Sequence, residues 1–382
     1  MSPLLPPLLL LLLLPPLLPT ACSANANVHA YYYLWYGNPA TDGRFLHWDH
    51  EVLPHWNPAV RARHPHGPAT RHAAADGVIH APFYPALGAY SSRDAATLDA
   101  HMRELIRAGV GTVVLSWWGQ AAREGTSDTQ GVQTDAVIAQ VVAAVERVER
   151  IGDGGPGMRF AVHMEPYPGR THTSVQEDAE YLVARFGASD AWLRIDGRRV
   201  FYVYDSYHIG VEDWRSVLGV PERATGPPAV RDGFFIALWL NRDGGELASR
   251  GGFDGVYTYF ASDGFVYGSS TRNWKHMRAF CVEKGLLFVP SVGPGYNDEG
   301  IRPWNAHNTK SREGGAYYDR MWRAALDSGA EYVSITSYNE WGEGTQIESA
   351  AARSTAPNTG GKKVYLEYAE GEPGKYVDAT RK

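Results

Sequence analysis

Eight short runs of apolar, β-branched and aromatic residues recur along this chain, and they constrain its fold more than any other feature. Most of the runs are apolar at nearly every position, as expected for parallel strands that are buried on both faces. The runs are VHAYYYL (28–34), TVVLS (112–116), FAVHM (160–164), VFYVY (200–204), FFIALW (234–239), GVYTYF (255–260), LLFVPS (286–291) and YVSIT (332–336). We therefore predict eight buried parallel strands.

The segments between these runs show helical periodicity. In the segment 94–108, Leu98, Met102 and Leu105 fall on one face, and Gly109 follows as a stop signal. The same pattern predicts helices at 135–149, 174–186, 272–284 and 316–328, with short connections at 211–218 and 244–250. Strand followed by helix, eight times over, is typical of an α/β protein of the (β/α)8, or TIM barrel, type.

The length of the chain suits one large domain, because barrels of this kind often exceed about 250 residues as a single unit. We expect residues 25–382 to form this domain. Residues 38–92, between the first strand and the first long helix, predict a long loop, and loops of that length in compact domains are usually functional. The last helix has to begin near Tyr376 and is expected to be minimal, since the sequence ends at Lys382.

Residues 1–24 consist almost entirely of Leu and Pro and predict a signal peptide. A signal anchor that holds the protein to a membrane is the alternative, although prolines at positions 6, 7, 15 and 16 make this segment a poor spanning helix. Cys22 lies in the leader, which leaves only Cys281 for the mature domain and excludes a disulfide there; we expect it buried in a helix. The leader predicts the secretory pathway, in the Golgi membrane or lumen, with secretion as the alternative.

The composition limits the class of ligand. The net charge is −6 and no long run of Lys or Arg occurs, which argues against a nucleic acid partner and favours a neutral or weakly polar ligand. The chain is rich in rings with polar tips, with 12 Trp and 22 Tyr. Such rings often bind sugars, because the C–H faces of a sugar stack on them, although any single ring can equally belong to the core.

The ends of the predicted strands carry most of the chemistry. In a barrel of this type the active site lies at the carboxyl ends of the strands. The segments just past the eight runs are WYGNP (35–39), WWG (117–119), EPYPGR (165–170), DSYH (205–208), NRD (241–243), ASDG (261–264), VGPGY (292–296) and NEWGE (339–343). Trp, Tyr, Glu, Asp, Asn and Arg are concentrated there, which predicts a polar, aromatic site at the barrel mouth.

Four acids at these strand ends point to carbohydrate hydrolysis. Glycosidic bonds are cleaved most often by two carboxylates, one of which protonates the leaving oxygen while the other acts as base or nucleophile. Glu340 and Glu343 follow the eighth run, and Glu165 and Asp205 follow the third and fourth. In the alternative, structural reading, Glu340 is a turn or helix-capping carboxylate.

Other acids and other chemistries have less support. Glu348 and Asp298 fall in loop segments, and we expect them to be solvated. The histidines at positions 47, 50, 55, 64, 66 and 72 fall in an irregular loop and form no H-E-x-x-H or C-x-x-C pattern, so nothing in the sequence supports a metal site. A G-x-S-x-G elbow and a P-loop are both absent from the sequence.

A series of long motifs, in order from about residue 28 to the end, resembles a known family. The motifs are YYYLWYGNP, HWDHEVLPHW, FYPALGAYSSRD, LSWWG, HMEPYPGR, FYVYDSY, FDGVYTYFA, PSVGPGY, IRPWN and NEWGEGTQIE. They look like those of glycoside hydrolase family 99, the endo-α-1,2-mannosidases. The resemblance implies a (β/α)8 barrel that cuts an internal α-1,2 linkage of a mannose-containing glycan with retention and without a metal or other cofactor.

The resemblance also implies a division of roles between the two acids of the E-W-x-E motif. Glu343 is expected to be the general acid at the leaving oxygen and later the general base. Glu340 is expected to deprotonate the 2-hydroxyl of the sugar, which then closes on the anomeric carbon as a 1,2-anhydro intermediate. This requires one carboxyl to be protonated while the other is ionised, a state that neighbouring acids readily reach.

Further residues of the sugar site follow from the same motifs. The resemblance implies that the glycone side of the cleft is lined by Tyr36, His47, Glu165, Tyr259 and Arg302, with His163 and Asp205 at neighbouring strand ends. For each of these the alternative is a purely structural role, above all for His163. Trp118 is expected to contact the sugar before the cleaved bond.

Two positions bear on the choice of substrate. Position 118 is Trp, where animal Golgi members of the family carry Tyr and bacterial mannan-degrading members carry Trp. Position 342 is Gly, where animal members carry His between the acids. Both shift the expectation from a glucose-capped N-glycan toward a mannose-capped one. We therefore expect a monomeric endo-α-1,2-mannosidase that acts on a high-mannose or glucosylated N-glycan, with a polysaccharide mannanase or a catalytically silent glycan-binding barrel as alternatives.

Overall fold

A computed structural model of the protein describes residues 25–55, 57–63, 71–149, 157–355 and 363–382. The predicted leader, residues 1–24, lies outside these ranges. Within them, no helix is both long enough and apolar enough to cross a membrane. Cys281 lies in a helix as predicted and is buried with a free thiol, whose pKa burial raises to about 12.

Within the described ranges, ten strands form one sheet. They are β1 (Asn25–Tyr32), β2 (Val110–Trp117), β3 (Arg159–Met164), β4 (Arg194–Ile195), β5 (Arg198–Val203), β6 (Gly233–Leu238), β7 (Gly255–Tyr257), β8 (Leu287–Val289), β9 (Ser291–Val292) and β10 (Val333–Ile335). All pairings are parallel except that of the short β4 with β5, and the neighbours run β8-β7-β6-β5-β3-β2-β1-β10-β9.

The two ends of this path belong to one segment, which closes the barrel. Pro290 alone separates β8, which pairs with β7, from β9, which pairs with β10. A proline has no N–H to extend a ladder, so the segment changes its partner there. The carbonyl of Pro290 still accepts a hydrogen bond from the Ser334 amide at 3.0 Å. The structure therefore confirms a (β/α)8 barrel.

Helices follow the strands, as predicted. They are α1 (Pro39–Asp42), α2 (Pro58–Arg63), α3 (Ala95–Arg107), α4 (Ile138–Glu149), α5 (His172–Phe186), α6 (Val211–Leu218), α7 (Val220–Thr225), α8 (Pro228–Arg231), α9 (Gly244–Gly251), α10 (Trp274–Lys284), α11 (Ala316–Asp327) and α12 (Lys375–Thr380). Helix α3 begins where Asp94 accepts hydrogen bonds from the amides of Ala96 and Thr97, and α5 begins with a capping box of Thr171 and Ser174. The minimal last helix is present as α12.

Strands β1 and β7 end two and three residues earlier than their sequence predicts. Strand β1 stops at Tyr32 because the amide of Tyr33 is bound by the side chain of Asn339 at 2.7 Å instead of by a neighbouring strand. The run 255–260 stops at Tyr257 because Tyr259 adopts a left-handed backbone conformation, with φ of 56°. Both departures occur at the mouth of the barrel, where the chain leaves the sheet.

The barrel interior contains buried polar rings as well as aliphatic side chains. His29 hydrogen-bonds the hydroxyl of Tyr202 at 2.6 Å, and His163 hydrogen-bonds the hydroxyl of Tyr257 at 2.7 Å. Burial lowers the pKa of His29 to about 4, so this ring is neutral. Because each histidine is paired with a tyrosine hydroxyl, these four rings can be buried without a large desolvation cost.

The predicted long loop, 38–92, carries the short helices α1 and α2 and is held down by the end of the chain. The Tyr365 hydroxyl accepts a hydrogen bond from the Ile79 amide at 2.9 Å. Lys363 donates from Nζ to the carbonyls of Ile79 and Ala81 at 2.6 and 3.1 Å, and burial lowers the pKa of Lys363 to about 8. The loop is therefore tied to residues almost 300 positions away.

A buried arginine joins the end of the chain to the segment after β10. The guanidinium of Arg312 lies 4.4 to 4.6 Å from the ring centroids of Phe83, Tyr368 and Tyr376, an arrangement we call the arginine cage. From inside this cage, Nη2 of Arg312 donates to the carbonyls of Gly344 and Gln346 at 2.9 and 2.7 Å. The cage thereby fixes the backbone that directly follows Glu343.

Candidate active site

A cavity of about 140 Å³ opens at the carboxyl ends of the strands. Residues that follow β1, β2, β3, β5, β7 and β10 meet there with residues of the long loop and of the segment after β9. The cavity is lined by Tyr33, Trp35, His47, His50, Trp118, Thr129, Glu165, Tyr204, Tyr259, Ile301, Arg302, Glu340 and Glu343. The site thus lies at the predicted end of the barrel.

Glu340 and Glu343 come together on one turn after β10. The amide of Glu340 donates to the Ser337 hydroxyl at 2.7 Å, and Oε1 of Glu340 accepts from the Gly342 amide at 2.9 Å. The side chain of Glu340 is nearly inaccessible, while about 20 % of the Glu343 side chain is exposed. The turn therefore holds Glu340 at the base of the cavity and Glu343 nearer its opening.

Trp341, between the two acids, is anchored beneath the cavity. Its indole N–H donates to Oε2 of Glu348 at 2.9 Å, and its backbone amide donates to the Tyr36 hydroxyl at 3.1 Å. Glu348 also accepts from the Tyr90 hydroxyl and lies 3.1 Å from Nε2 of His101. This network fixes the backbone on which both acids stand.

Arg302 connects Glu343 to a buried acid. Its Nη1 lies 3.0 Å from Oε1 of Glu343 and 3.2 Å from Oδ2 of Asp298. Asp298 is fully buried and also accepts from the Tyr296 hydroxyl at 2.9 Å and from Nδ2 of Asn305 at 3.0 Å. One guanidinium is thus shared between two carboxylates.

The expectation that Glu348 and Asp298 are solvated was wrong. Both side chains are buried, with 1 % and 0 % of their surface exposed. Glu348 accepts hydrogen bonds from residues far away in sequence, and Asp298 accepts them from residues across the turn that it begins. These donors offset the cost of burying a carboxylate.

The surroundings of the acid pair favour the protonated forms. Burial and the neighbouring charge of Glu343 raise the pKa of Glu340 well above its ordinary value. Burial also raises the pKa of Glu343, where Arg302 opposes this increase and Asp298 adds to it. Because Arg302 pairs with Glu343, the ionised form is favoured more at Glu343 than at Glu340, and in the free enzyme a proton shared by the two acids lies on Glu340.

Aromatic rings form one wall of the cavity. The rings of Trp35 and His47 stack with centroids 3.9 Å apart, and the ring of Tyr33 also stacks on Trp35, with centroids 4.5 Å apart. Trp118 lies 6.5 Å from Trp35 in a tilted arrangement. Flat, apolar faces beside acids suit a sugar, whose C–H groups stack while its hydroxyls bind polar groups.

Polar side chains around these rings are held by buried partners. Nδ1 of His47 lies 2.9 Å from Oδ2 of Asp128. Oε1 of Glu165 accepts from the Ser116 hydroxyl and from Nδ1 of His163, both at 2.8 Å. Nε2 of the same ring lies 2.7 Å from the Tyr257 hydroxyl. These contacts fix the orientation of His47 and Glu165 before any ligand binds.

The structure brings together seven of the residues predicted from sequence. They are His47, Trp118, Glu165, Tyr259, Arg302, Glu340 and Glu343. Three others lie outside the cavity lining. Tyr36 is buried behind it and donates to the Asn339 carbonyl at 2.9 Å, and His163 stands behind Glu165. Asp205 lies to one side, 3.7 Å from Nε2 of His208.

Six lining residues were not predicted as site residues. They are Tyr33, Trp35, His50, Thr129, Tyr204 and Ile301. Trp35 directly follows the first run and could have been found from the strand-end rule, as could Tyr204. His50 and Thr129 come from irregular loops, where no periodicity locates a side chain. Across the described ranges, no three His, Cys, Asp or Glu side chains are grouped as metal ligands.

Glu340→Gln is expected to make the protein more stable at alkaline pH. A carboxyl whose pKa is raised on folding favours the folded state only while it is protonated, so its contribution falls as pH rises from about 4.3 through the raised pKa. The neutral amide removes this cost and keeps its oxygen for the Gly342 amide. We expect a gain of about 1 kcal/mol at pH 8, roughly 2 °C in Tm, by differential scanning calorimetry.

The control for this measurement is Glu299→Gln, an exposed acid in the segment that carries Asp298. It removes the same charge and is expected to leave Tm unchanged at both pH 5 and pH 8. A Glu340→Gln protein that melts below the parent at pH 8 would mean that the ionised carboxylate stabilises the fold.

The parallel barrel and the acid pair in an aromatic-walled mouth define a glycoside hydrolase of the (β/α)8 class. The family model for glycosyl hydrolase family 99 matches residues 23–382. The chain therefore belongs to glycosyl hydrolase family 99, as its motifs predicted.

Known relatives agree with this assignment. The chain is 40 % identical over 361 residues to a glycoprotein endo-alpha-1,2-mannosidase-like protein of Danio rerio, covering 93 % of this chain and 77 % of the relative. It is 40 % identical over 367 residues to the glycoprotein endo-alpha-1,2-mannosidase of Rattus norvegicus, covering 94 % of this chain and 74 % of the relative. The solved structure of the endo-alpha-mannosidase from Bacteroides thetaiotaomicron superposes with a TM-score of 0.81 at 35 % identity, covering 94 % of this chain and 96 % of that one.

Proposed function

We propose that this glycoside hydrolase is a retaining endo-α-1,2-mannosidase that cleaves an internal α-1,2-mannosidic bond of an N-glycan. The observation that carries the proposal is the turn after β10, which presents two carboxylates, the buried Glu340 and the partly exposed Glu343, to one aromatic-walled cavity. The relatives named as glycoprotein endo-alpha-1,2-mannosidases support the bond and the type of glycan.

In the first step of the proposed reaction, Glu340 takes the proton of the 2-hydroxyl, and O2 attacks the anomeric carbon. The bond from that carbon to the leaving oxygen breaks as Glu343 delivers its proton to this oxygen. In the second step, Glu343 takes a proton from water, the water oxygen attacks the anomeric carbon, and the bond to O2 breaks. O2 then recovers the proton from Glu340, so the pair returns to its starting state with the configuration retained.

Substrate binding has to change which of the two acids, Glu340 or Glu343, carries the proton. The reaction needs the shared proton on Glu343, whereas Arg302 favours it on Glu340 in the free enzyme. A 2-hydroxyl that donates to Glu340 stabilises the ionised form of Glu340, and a glycosidic oxygen beside Glu343 accepts from its protonated form. Both contacts move the proton to Glu343, so substrate binding favours the reactive state.

The substrate is proposed to be mannose-capped in preference to glucose-capped. Trp118 supplies an apolar face near Trp35 without a phenolic hydroxyl, and Gly342, which directly precedes Glu343, adds no side chain there. A Cβ at position 342 would lie 3.0 Å from both Oε1 of Glu340 and Nε2 of His80, so the side chains of Glu340 and His80 closely fill the space beside Gly342. Release of a mannosyl-α-1,3-mannose disaccharide, or of the glucosyl equivalent, is the expected result. The predicted leader supports the further proposal that the protein acts in the secretory pathway, in the Golgi lumen or membrane.

The proposal is tested with two oligosaccharides that differ only in the terminal sugar, α-mannosyl-1,3-α-mannosyl-1,2-mannose and α-glucosyl-1,3-α-mannosyl-1,2-mannose. Mass spectrometry is expected to detect a disaccharide from both, with the larger kcat/KM for the mannosyl compound, and proton NMR is expected to detect the α-anomer first. Binding without release would identify a glycan-binding barrel instead. Cleavage of polymeric mannan, with no cleavage of N-glycans, would assign a mannanase.

A further inference from the structure

The strongest unassigned feature of the site is Asp298. This carboxylate is fully buried and does not line the cavity, yet it binds the same guanidinium nitrogen as Glu343. Its Oδ2 receives three donors, from Tyr296, Arg302 and Asn305, while Oδ1 has no hydrogen-bond partner. Burying a carboxylate with one unpartnered oxygen lowers the free energy of unfolding, so we expect Asp298 to have a role beyond the local fold.

We propose that Asp298 is a positioning residue that shares the charge of Arg302 with Glu343, so that Glu343 can take up the proton for the leaving group when the substrate binds. This inference rests on the proposed function, because it assumes that Glu343 is the general acid. Asp298 touches neither the cavity nor a reacting atom and acts through Arg302.

The geometry explains why such sharing is needed. With Nη1 only 3.0 Å away, Arg302 alone would strongly favour the ionised form of Glu343, and an ionised Glu343 cannot protonate a leaving oxygen. Asp298, 3.2 Å from the same nitrogen, offsets much of that charge. Arg302 can then orient Glu343 and contact a sugar hydroxyl without preventing Glu343 from being protonated in the complex with substrate. The raised pKa of Glu343, to which the charge of Asp298 contributes, agrees with this account.

Other titratable groups also face Glu343, and they are the same in the parent protein and in the Asp298→Asn variant. The charged or acidic ones besides Asp298 are Arg302, Glu340 and Glu165. The phenols are Tyr33, Tyr204, Tyr259 and Tyr296, and burial raises the pKa of each well above its ordinary value, so all four are neutral. His50 faces Arg302, and burial lowers its pKa to about 2, so it is neutral as well.

Asp298→Asn separates charge from shape. An amide oxygen placed at Oδ2 keeps all three donors, and the amide nitrogen takes the place of Oδ1. Loss of the charge lowers the pKa of Glu343 and leaves that of Glu340 nearly unchanged. We expect the ratio of parent to variant kcat/KM for the trisaccharide to rise from about one on the acid side of the pH profile to about ten on the alkaline side.

A second substrate tests the same idea without changing the pH. A disaccharyl fluoride, α-mannosyl-1,3-α-mannosyl fluoride, has a leaving group that needs no proton. The kcat/KM for fluoride release, which reports the first step alone, is expected to be equal for parent and Asp298→Asn at every pH. Glu299→Gln, an exposed charge loss in the same segment, is the matched control and is expected to give a ratio of one throughout.

The outcomes separate this inference from the proposed function. A parent protein that releases no disaccharide overturns the proposed function, and the inference with it. A parent that is active, combined with a ratio that is the same at all pH values, overturns the inference alone and assigns Asp298 a structural role.

If Asp298→Asn does not fold, as judged by circular dichroism, Tyr296→Phe gives an independent measurement. It removes one donor from Oδ2 and leaves more of the Asp298 charge directed at Arg302. The ratio of parent to variant kcat/KM is then expected to fall as pH rises. A ratio that rises, or that does not change with pH, overturns the inference.

Discussion

Glu343→Gln is expected to lower kcat/KM for the mannosyl trisaccharide by about 10³ to 10⁴-fold, because a sugar leaving group departs slowly without a proton. Glu340→Gln is expected to lower it by a similar factor, because the 2-hydroxyl is a poor nucleophile until its proton is removed. Both residues stand on the turn after β10, and the amide of Gln keeps the shape of each side chain. The loss therefore measures proton transfer and not packing.

An activated substrate distinguishes the two roles. With α-mannosyl-1,3-α-mannosyl fluoride, Glu343→Gln is expected to release fluoride in a rapid burst, because the first step no longer needs an acid and only the second step is slow. Glu340→Gln is expected to give no burst. Glu299→Gln serves as the control for loss of an acidic side chain and is expected to match the parent. A burst with Glu340→Gln and none with Glu343→Gln would reverse the two assignments.

Gly300→Ala is expected to reduce both stability and activity. A Cβ at position 300 would lie 2.1 Å from the backbone carbonyl oxygen of His80, and no side-chain rotation can relieve a contact with backbone. The two segments would have to move apart, and they carry Arg302 on one side and the long loop 38–92 on the other. We expect a loss of about 2 to 3 kcal/mol, or roughly 4 to 6 °C in Tm, and a 10 to 100-fold lower kcat/KM.

Gly210→Ala is the matched control for this change. Gly210 also has an ordinary backbone conformation, with φ of −67°, but its added Cβ would meet nothing closer than Oδ2 of Asp213 at 3.6 Å. It is expected to cost less than about 1 kcal/mol and to leave kcat/KM unchanged. If Gly300→Ala proves as harmless as Gly210→Ala, the contact between residues 298–302 and the long loop 38–92 is loose, and it does not position Arg302 or Glu343.

The barrel could be predicted from sequence because parallel strands buried on both faces have a continuous apolar pattern, and because the helices between them carry clear periodicity. The error at β7, the sixth of the predicted runs, has a local cause. Val256 and Tyr257 continue the apolar pattern into Tyr259, but the left-handed backbone at Tyr259 ends the strand, and no pattern of side chains announces that conformation.

The acid pair could be predicted because its position after the eighth strand and its motif agree. Asp298 and Glu348 could not, since a loop acid becomes a buried one only through partners that a single sequence does not bring together. Glu348 meets His101 across 247 positions. For Tyr36 and His163, sequence similarity indicates the neighbourhood of the site but not whether the side chain reaches the cavity or supports a residue that does.

The arginine cage has a genetic consequence. A nonsense or frameshift allele that ends translation at position 367 would spare every residue that lines the cavity, yet it would delete Tyr368 and Tyr376, two of the three rings around Arg312. Without them the guanidinium loses the packing that aims it at the carbonyls of Gly344 and Gln346. Such an allele is expected to behave as a loss of function, although its lesion maps outside the catalytic centre.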